Sequence, residues 1–390
     1  MPFFLIIALT LWGGLHTWIL KRTHLLLTPG TVPWRIAVGV VVVLASSYVG
    51  GRLLNRFGRG GSIASGIEMT GAMWLAVFSL LVTVLALVEV AGLVTWVATR
   101  VGTGRGVTVF RWLSEGPRWA RIAVAGLIWG LALGGTVVGA VRAARAPRVI
   151  HLSVQVPAAP DGLRRLVQVS DLHLGAILPQ GQWETVLDTI EGTAPDALLL
   201  TGDIVEDHTA RGLDQLRQLR ARLPDVPIYM VTGNHEKYAG PEELPAILEA
   251  QGIRLLRQEA VDLRGLWLAG IDDPQLTDFD TSVAAIRSAV PGAAPMILLS
   301  HQPQVVRRLA DRPSTLVLSG HVHGGQLPPF QLLAPLSNGG YLAGLYRAGE
   351  ATLHLSRGAG SWGPPVRLFA PPDIVVLDLE QGDAFSVELR

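Results

Sequence analysis

Seven side chains of metal-ligating type stand just beyond five short apolar runs. In residues 315–326, TLVLSGHVHGGQ, the run ends in Ser319-Gly320, and His321 and His323 follow with one residue between them. Two glycines then let the backbone turn tightly. Alternate residues of an extended segment point the same way, so both imidazoles are expected to face one point. Neutral imidazole is the commonest protein ligand for transition metals. A His-x-His alone describes a surface turn equally well, but here the pattern recurs. LVQVS precedes Asp171 and His173, ALLLTG precedes Asp203, IYMVTG precedes Asn234-His235-Glu236, and MILLS precedes His301. Strands that each end in carboxylate, amide or imidazole describe a site at the carboxyl edge of an α/β sheet.

The inventory is Asp171, His173, Asp203, Asn234, His301, His321 and His323, with no thiolate. Such donors suit Mn, Fe, Zn or similar divalent ions better than Ca or Mg alone. Seven protein ligands exceed what one catalytic ion with an open position takes, and they fit two ions that share a carboxylate. Two ions about 3.5–4 Å apart clamp a phosphoryl group and activate hydroxide for in-line attack. No serine or cysteine nucleophile is then needed. His235, beside Asn234, is the expected catalytic acid for the leaving alkoxide, or a stabiliser of phosphoryl charge. The plainer alternatives for it are a further metal ligand or a solvated side chain.

The elements that must position these residues divide the chain near residue 148. Hydrophobic residues make up 49% of the 390, and the excess lies in residues 1–148. Residues 2–20, 36–51, 71–98 and 122–141 are nearly free of charge, the second run being short, and a span needs about 20 apolar residues. About four transmembrane helices and a lipid bilayer as partner are therefore expected, followed by a catalytic domain over 149–390. Several tryptophans, among Trp12, Trp34, Trp74, Trp96, Trp112, Trp119 and Trp129, fall near the ends of these runs, as at a membrane interface. The first run lacks a basic stretch before its apolar core, which favours a retained anchor over a cleaved signal. Glu89, inside the third run, marks a functional intramembrane site, or sits near one interface or faces another helix. Arginines and lysines in 21–35 and 99–121 slightly outnumber those in 52–70 and 142–148, so the positive-inside rule leans toward an extracytoplasmic catalytic domain at the cell membrane. A net charge of +1 gives no general affinity for nucleic acid. The absence of cysteine excludes disulfides, thiolate zinc sites and cysteine nucleophiles.

In the second part, strands are expected at 151–156, 166–170, 197–201, 227–231, 253–256, 266–271, 296–299, 315–318, 351–356 and 374–379. Helices are expected at 183–192, 213–223, 241–251, 282–289 and 304–310. Asp161-Gly162 suggests a hairpin joining the first two strands. The alternation implies sheets with helices outside them.

In this order, D-x-H, GD, GNHE, a lone SH and GHVH resemble the calcineurin-like metallophosphoesterase family, over residues 166–379. The resemblance implies an α/β fold, a four-layer αββα sandwich, here preceded by the helical transmembrane region. It implies one metal held by Asp171, His173, Asp203 and His323, and a second held by Asp203, Asn234, His301 and His321. Asp203 is then the bridge and His235 the catalytic histidine. The extension GHVHGGQLPPF and the tail LSRGAGSWGPPVRLFAPPDIVVLDL resemble a membrane-associated or exported bacterial subgroup with a GHxHGGQ motif, some of which act on lipid-linked phosphate. Purple acid phosphatases carry a tyrosine three residues after the bridging aspartate. Glu206 stands there in this chain, so an iron–tyrosinate centre is not expected. The twin-arginine signal of several exported relatives is replaced by the apolar runs.

The expectation is a membrane-anchored, dinuclear-metal phosphoesterase acting on phosphomonoester, phosphodiester or pyrophosphate bonds, with lipid-linked substrates among its candidates. The competing readings are a nucleotide or nucleic-acid phosphodiesterase, which lacks a basic stripe, and a membrane transporter or sensor with an accessory phosphoesterase-fold domain. Leu327-Pro328-Pro329-Phe330, Leu332, Leu333 and Leu336 follow the HVHGG turn. They serve as loop packing, or as a lip that receives an acyl or isoprenoid chain.

Overall fold

The computed structural model describes residues 2–23, 31–56, 61–101, 117–157, 162–175, 177–206, 210–237 and 242–390. By internal contact the chain divides into Met1–Val138 and Gly139–Arg390.

The first unit is helical: α1 (Pro2–Thr23), α2 (Val32–Arg56), α3 (Gly61–Val101) and most of α4 (Arg118–Ala143). Among the described residues, three helical stretches are long and apolar enough to cross a bilayer: Val32–Asn55, Gly61–Ala98 and Arg118–Ala143. The second run, short by composition, is extended at both ends into a 25-residue helix. The segment 52–70, expected as a loop, is mostly helix. Its Glu68 is buried and accepts a hydrogen bond from Asn55 Nδ2 at 2.7 Å. Glu89 faces another helix, where it pairs with Arg22 at 2.6 Å. Arg59, Arg105, Arg111 and Trp112 lie outside the described residues, as do Asp161 of the expected turn and Pro241 of the expected helix.

The second unit holds two sheets. The seven-stranded sheet has the order β13-β1-β12-β2-β3-β4-β5. Its strands are β1 (Arg148–Val156), β2 (Arg165–Val169), β3 (Ala197–Thr201), β4 (Ile228–Val231), β5 (Ile253–Leu255), β12 (Asp373–Gln381) and β13 (Ser386–Leu389). The six-stranded sheet has the order β10-β11-β9-β8-β7-β6. It comprises β6 (Glu259–Asp262), β7 (Trp267–Gly270), β8 (Met296–Leu299), β9 (Thr315–Ser319), β10 (Gly344–Ala348) and β11 (Ala351–Leu355).

Alternation along the strands sorts the core into layers. Leu198 and Leu200 of β3 face α5 (Gln180–Gly192), α6 (Ala210–Arg222) and α7 (Leu244–Glu249), where they pack with Trp183, Ile190, Leu216, Leu219 and Leu248. Leu199, between them in sequence, points the other way, toward Leu299, Leu316 and Leu318 of the second sheet. On that sheet's outer face, Leu298 and Val317 pack with Ile286 of α8 (Phe279–Ala289) and Val305 of the 3-10 turn Pro303–Leu309. This is helix, sheet, sheet, helix, as the motifs implied.

The expected hairpin between the first two strands does not form. β12 lies between them, parallel to β1 and antiparallel to β2. A turn signal reports that the chain reverses, and here the gap between the strands is filled by a strand more than 200 residues later. Four elements were not foreseen. β6, β10 and β13 are sheet edges, at best half-buried, so they carry no continuous apolar run. α9 (Phe330–Ser337) holds Pro335, a residue that argues against helix in a sequence.

Leu299 is fully buried where the two sheets meet. Leu299→Ala is expected to destabilise the chain by about 2–5 kcal/mol, read as a lowered denaturation midpoint of the full chain in lipid nanodiscs.

Candidate metal centre

All five ligand-bearing stretches end at one place. β2, β3 and β4 bring Asp171, His173, Asp203 and Asn234 from the first sheet, and β8 and β9 bring His301, His321 and His323 from the second. Immediately past the strands the backbone turns sharply. Asp171, His173, Asp203, His321 and His323 have φ of 54°, 49°, 52°, 76° and 53°. Non-glycine residues rarely adopt this left-handed region, and where they do it marks strain held by the surrounding structure. The neighbouring glycines allow the loops to close on one another. A Cβ on Gly320 would strike Ser170 Oγ and Asp171 Oδ2, and one on Gly233 would strike Asp203 Oδ1.

The donor atoms fall into two neighbouring groups. In the first, His173 Nε2 lies 3.1 Å from His323 Nε2, which is 3.3 Å from Asp171 Oδ1. In the second, His301 Nε2 lies 3.2 Å from each of Asp203 Oδ2, Asn234 Oδ1 and His321 Nδ1. Asp203 stands between them, with Oδ2 3.9 Å from His173 Nε2. His321 and His323 therefore serve different groups. The expectation that both face one point fails because they lie beyond β9, in a tight turn rather than on an extended strand.

Ring nitrogens 3.1–3.2 Å apart share a proton, and a cation would take the place of that proton between them. The electrostatics agree. Burial works against charge on His301, yet Asp203 and Asp171 carry it up to about 10. Burial also pushes Asp203 upward, and His301 and His173 hold it well below the carboxylate range. The positive charge that Asp203 draws onto His301 is charge a divalent ion would supply instead. Burial, with the charge on His301 second, takes His321 down to about 3, and burial with Arg367 beside it holds His323 well below its usual value. Both are thus neutral imidazoles, the ligand form. His301 Nδ1 donates to the Thr201 carbonyl at 2.9 Å, which leaves Nε2 facing the site. The residues fit a pair of divalent ions.

Three supporting residues had no assigned role in the sequence. Buried Glu236 accepts the backbone N–H groups of Asp203, Ile204, Val205 and Gly233 at 2.9, 2.7, 3.0 and 2.6 Å, clamping the GD turn to the GNHE turn. Arg367, fully buried, donates to the carbonyls of His323 and Arg357 at 2.9 and 2.8 Å and fixes the HVHGG turn. Glu206, noted only for not being tyrosine, sets one oxygen 2.7 Å from His173 Nδ1 and 2.8 Å from His235 Nδ1. The side chain of His235 points its Nε2 inward, 3.9 Å from Asp203 Oδ2. Burial opposes charge on His235, but the Glu206 carboxylate beside its Nδ1 and the charge of Asp203 raise it above its ordinary value. A carboxylate after the bridging residue, at loop spacing, was the available signal for Glu206.

The model of the calcineurin-like phosphoesterase family matches residues 164–325, which hold every residue named above as a candidate ligand. The chain is 32% identical over 243 residues to an uncharacterized metallophosphoesterase of Campylobacter jejuni, covering 61% of this chain and 64% of that protein. It is 32% identical over 263 residues to a transmembrane protein with metallophosphoesterase domain from Danio rerio, covering 63% and 60%. It is 33% identical over 247 residues to an uncharacterized metallophosphoesterase of Aquifex aeolicus, covering 60% of this chain and 92% of that one. The chain thus spans under two thirds of the first two relatives and nearly all of the third.

Glu206→Gln removes a negative charge shared by two rings. Loss of the orienting partner is expected to lower metal affinity or turnover by about 10–100-fold. The sign of the pH effect follows from His235: its raised value falls back, its charged form is lost at lower pH, and the alkaline limb of kcat moves down in pH. An unmoved alkaline limb in the pH–rate profile would count against the contact.

Proposed function

The chain belongs to the calcineurin-like phosphoesterase family, and from that premise we propose that its second unit is a two-metal phosphoester hydrolase held at a membrane. The observation that carries this reading is the convergence of two donor groups, one made by Asp171, His173 and His323 and the other by Asp203, His301 and His321, with Asp203 between them.

In this reading Asp171, His173, Asp203 and His323 hold one divalent ion, and Asp203, Asn234, His301 and His321 hold the other. Ions of the Mn, Fe or Zn class bound there supply Lewis-acid polarisation of a phosphoryl group and activation of water for in-line attack. The chain does the rest. Asp171, Asp203, His173, His301 and His323 are buried, whereas Asn234, His235 and His321 are partly exposed and line the approach. His235 is kept cationic by Glu206 and donates its Nε2 proton to the departing oxygen. Monoesters, diesters and pyrophosphates share this in-line chemistry, and the apolar helices favour esters that reach the site from a bilayer, lipid-linked phosphates among them. The balance of lysines and arginines around the helices favours an extracytoplasmic side for the unit. A transport role draws no support from Glu89, which is paired with Arg22.

Asp203→Asn is expected to abolish activity and reduce bound metal, since an amide cannot carry charge to two ions. Metal analysis showing two ions per chain with normal turnover would refute the ligand set. His235→Ala is expected to leave metal content near normal and to lower turnover about 10²–10⁴-fold on esters of poor leaving groups. The loss should shrink for nitrophenyl esters, whose leaving group needs no proton. An equal loss on both substrate kinds would make His235 a phosphate-binding residue rather than an acid.

A further inference from the structure

Of the eight large apolar side chains exposed beyond residue 148 among the described residues, six lie in two short segments. They are Phe330, Leu332, Leu333 and Leu336, which are 44%, 79%, 49% and 83% exposed, and Trp362 and Phe369, which are 42% and 71% exposed. Isolated exposed leucines are ordinary; a contiguous set marks an interaction surface. These segments are contiguous. Gln331 Nε2 donates to the Leu368 carbonyl at 2.9 Å. Gln326 Nε2 donates to the carbonyls of Trp362 and Pro364 at 2.9 and 3.0 Å, and the Trp362 N–H returns to Gln326 Oε1 at 3.0 Å. Within 326–337 and 361–370 the one charged residue is Arg367, which is fully buried. Of the residues foreseen as a lip after the HVHGG turn, only Leu327 is packed away, at 3% exposure.

The same collar is tied to the end of a membrane-length helix. The last turn of α4, from Gly139 to Ala143, belongs to the second unit. There the Arg367 N–H donates to the Gly139 carbonyl at 2.9 Å, and a Cβ on Gly139 would lie 2.5 Å from Val366. Residues 144–147, which reach at most about 14 Å when extended, separate α4 from β1. Arg142, Arg145 and Arg148 are exposed along this stretch, where basic side chains attract anionic headgroups.

We propose that the collar formed by α9 and residues 362–369 docks into the surface of the bilayer that α4 spans, with Phe330, Leu332, Leu333, Leu336, Trp362 and Phe369 in the headgroup–acyl boundary. An apolar helix face lying in that plane sinks about 5–10 Å. The occupant is a phospholipid bilayer, because the collar is continuous with a helix end that emerges from one and is flanked by arginines. His323 stands at the collar's root, so the phosphoester enters from the headgroup layer. That last step rests on the hydrolase reading; the docking does not.

The chain has no cysteine, so Leu332→Cys, Leu336→Cys and Phe369→Cys each place one label on the full-length protein without other changes. Arg217→Cys, exposed on α6, is the control. Each variant carries an environment-sensitive fluorophore in nanodiscs of phosphatidylcholine and phosphatidylglycerol, with plain or brominated acyl chains. Collar labels are expected to emit to the blue and to lose most of their intensity in brominated discs, and the control to do neither. Collar labels quenched no more than the control would overturn the docking. A blue shift that grows with protein concentration without bromine quenching would also overturn it, by showing that a second copy covers the patch. Slowed amide exchange over 330–337 in unmodified protein, discs against amphipol, decides the matter if a variant fails to fold. None of these readouts uses turnover, so failure of the hydrolase reading stays separate.

Discussion

Asp203 is a carboxylate with almost no access to water, and the arrangement around it follows from the need to balance its charge. An uncompensated buried charge costs about 3–5 kcal/mol. Asp203 meets that demand with the His301 ring at 3.2 Å, the His235 N–H at 2.8 Å, and the His173 and His235 rings at 3.9 Å. These groups come from three loops on two sheets, which with the loop of Asp203 itself makes four. The two-sheet core is what delivers four loops to one point, and the left-handed turns are what bend each loop inward once its strand ends. Strain at Asp171, His173, Asp203, His321 and His323 is tolerable because each residue is bonded into a neighbour: the Asp171 N–H to the Gly202 carbonyl at 3.1 Å, the His173 N–H to the Asp203 carbonyl at 3.0 Å.

Much of this was legible in the residues, for one physical reason. A central strand in a two-sheet sandwich is buried on both faces, so it reads as an unbroken apolar run, and Ala197–Thr201 and Met296–Leu299 have the bounds their composition predicts. A polar residue just past such a run has few structural uses, which is why the seven candidate ligands stood out and why the structure brings all seven together. What was not legible depends on pairing. β12 slots between β1 and β2, a fact carried by no local pattern. Nor does a strand rule describe His321 and His323, because their side-chain directions are set by φ beyond the strand. Glu206, Glu236 and Arg367 each act on a residue 30 or more positions away, or on backbone alone, so their types announce nothing.

The helical unit shows the same limit. Charge-free length predicted the helices, and three meet the length and apolarity of a span. It did not predict that α3 begins at Gly61 rather than near residue 71, because Glu68 reads as a loop residue until its partner Asn55 is known. An acid in an apolar helix is costly when alone, and both Glu68 and Glu89 have partners on neighbouring helices.

Glu206 joins two tasks that the ligand list keeps apart. Its Oε2 accepts from His173 Nδ1 at 2.7 Å and lies 2.8 Å from His235 Nδ1. A ring that gives its Nδ1 proton to a carboxylate keeps Nε2 oriented and more basic, the usual arrangement behind a metal-bound histidine. The contact with the other ring favours its charged form, the form that the proposed acid role of His235 needs. Because one oxygen serves both, demand at one ring is felt at the other. Charge withdrawn from His173 by a bound ion would strengthen its hold on Glu206 and loosen the hold on His235, making the His235 proton easier to give up. A tyrosine three residues past the bridge could offer a phenolate to the ion but could not bind both rings in this way. If the proposed ligand and acid roles hold, the residue that departs from the purple acid phosphatase pattern is the one that would couple metal binding to proton donation.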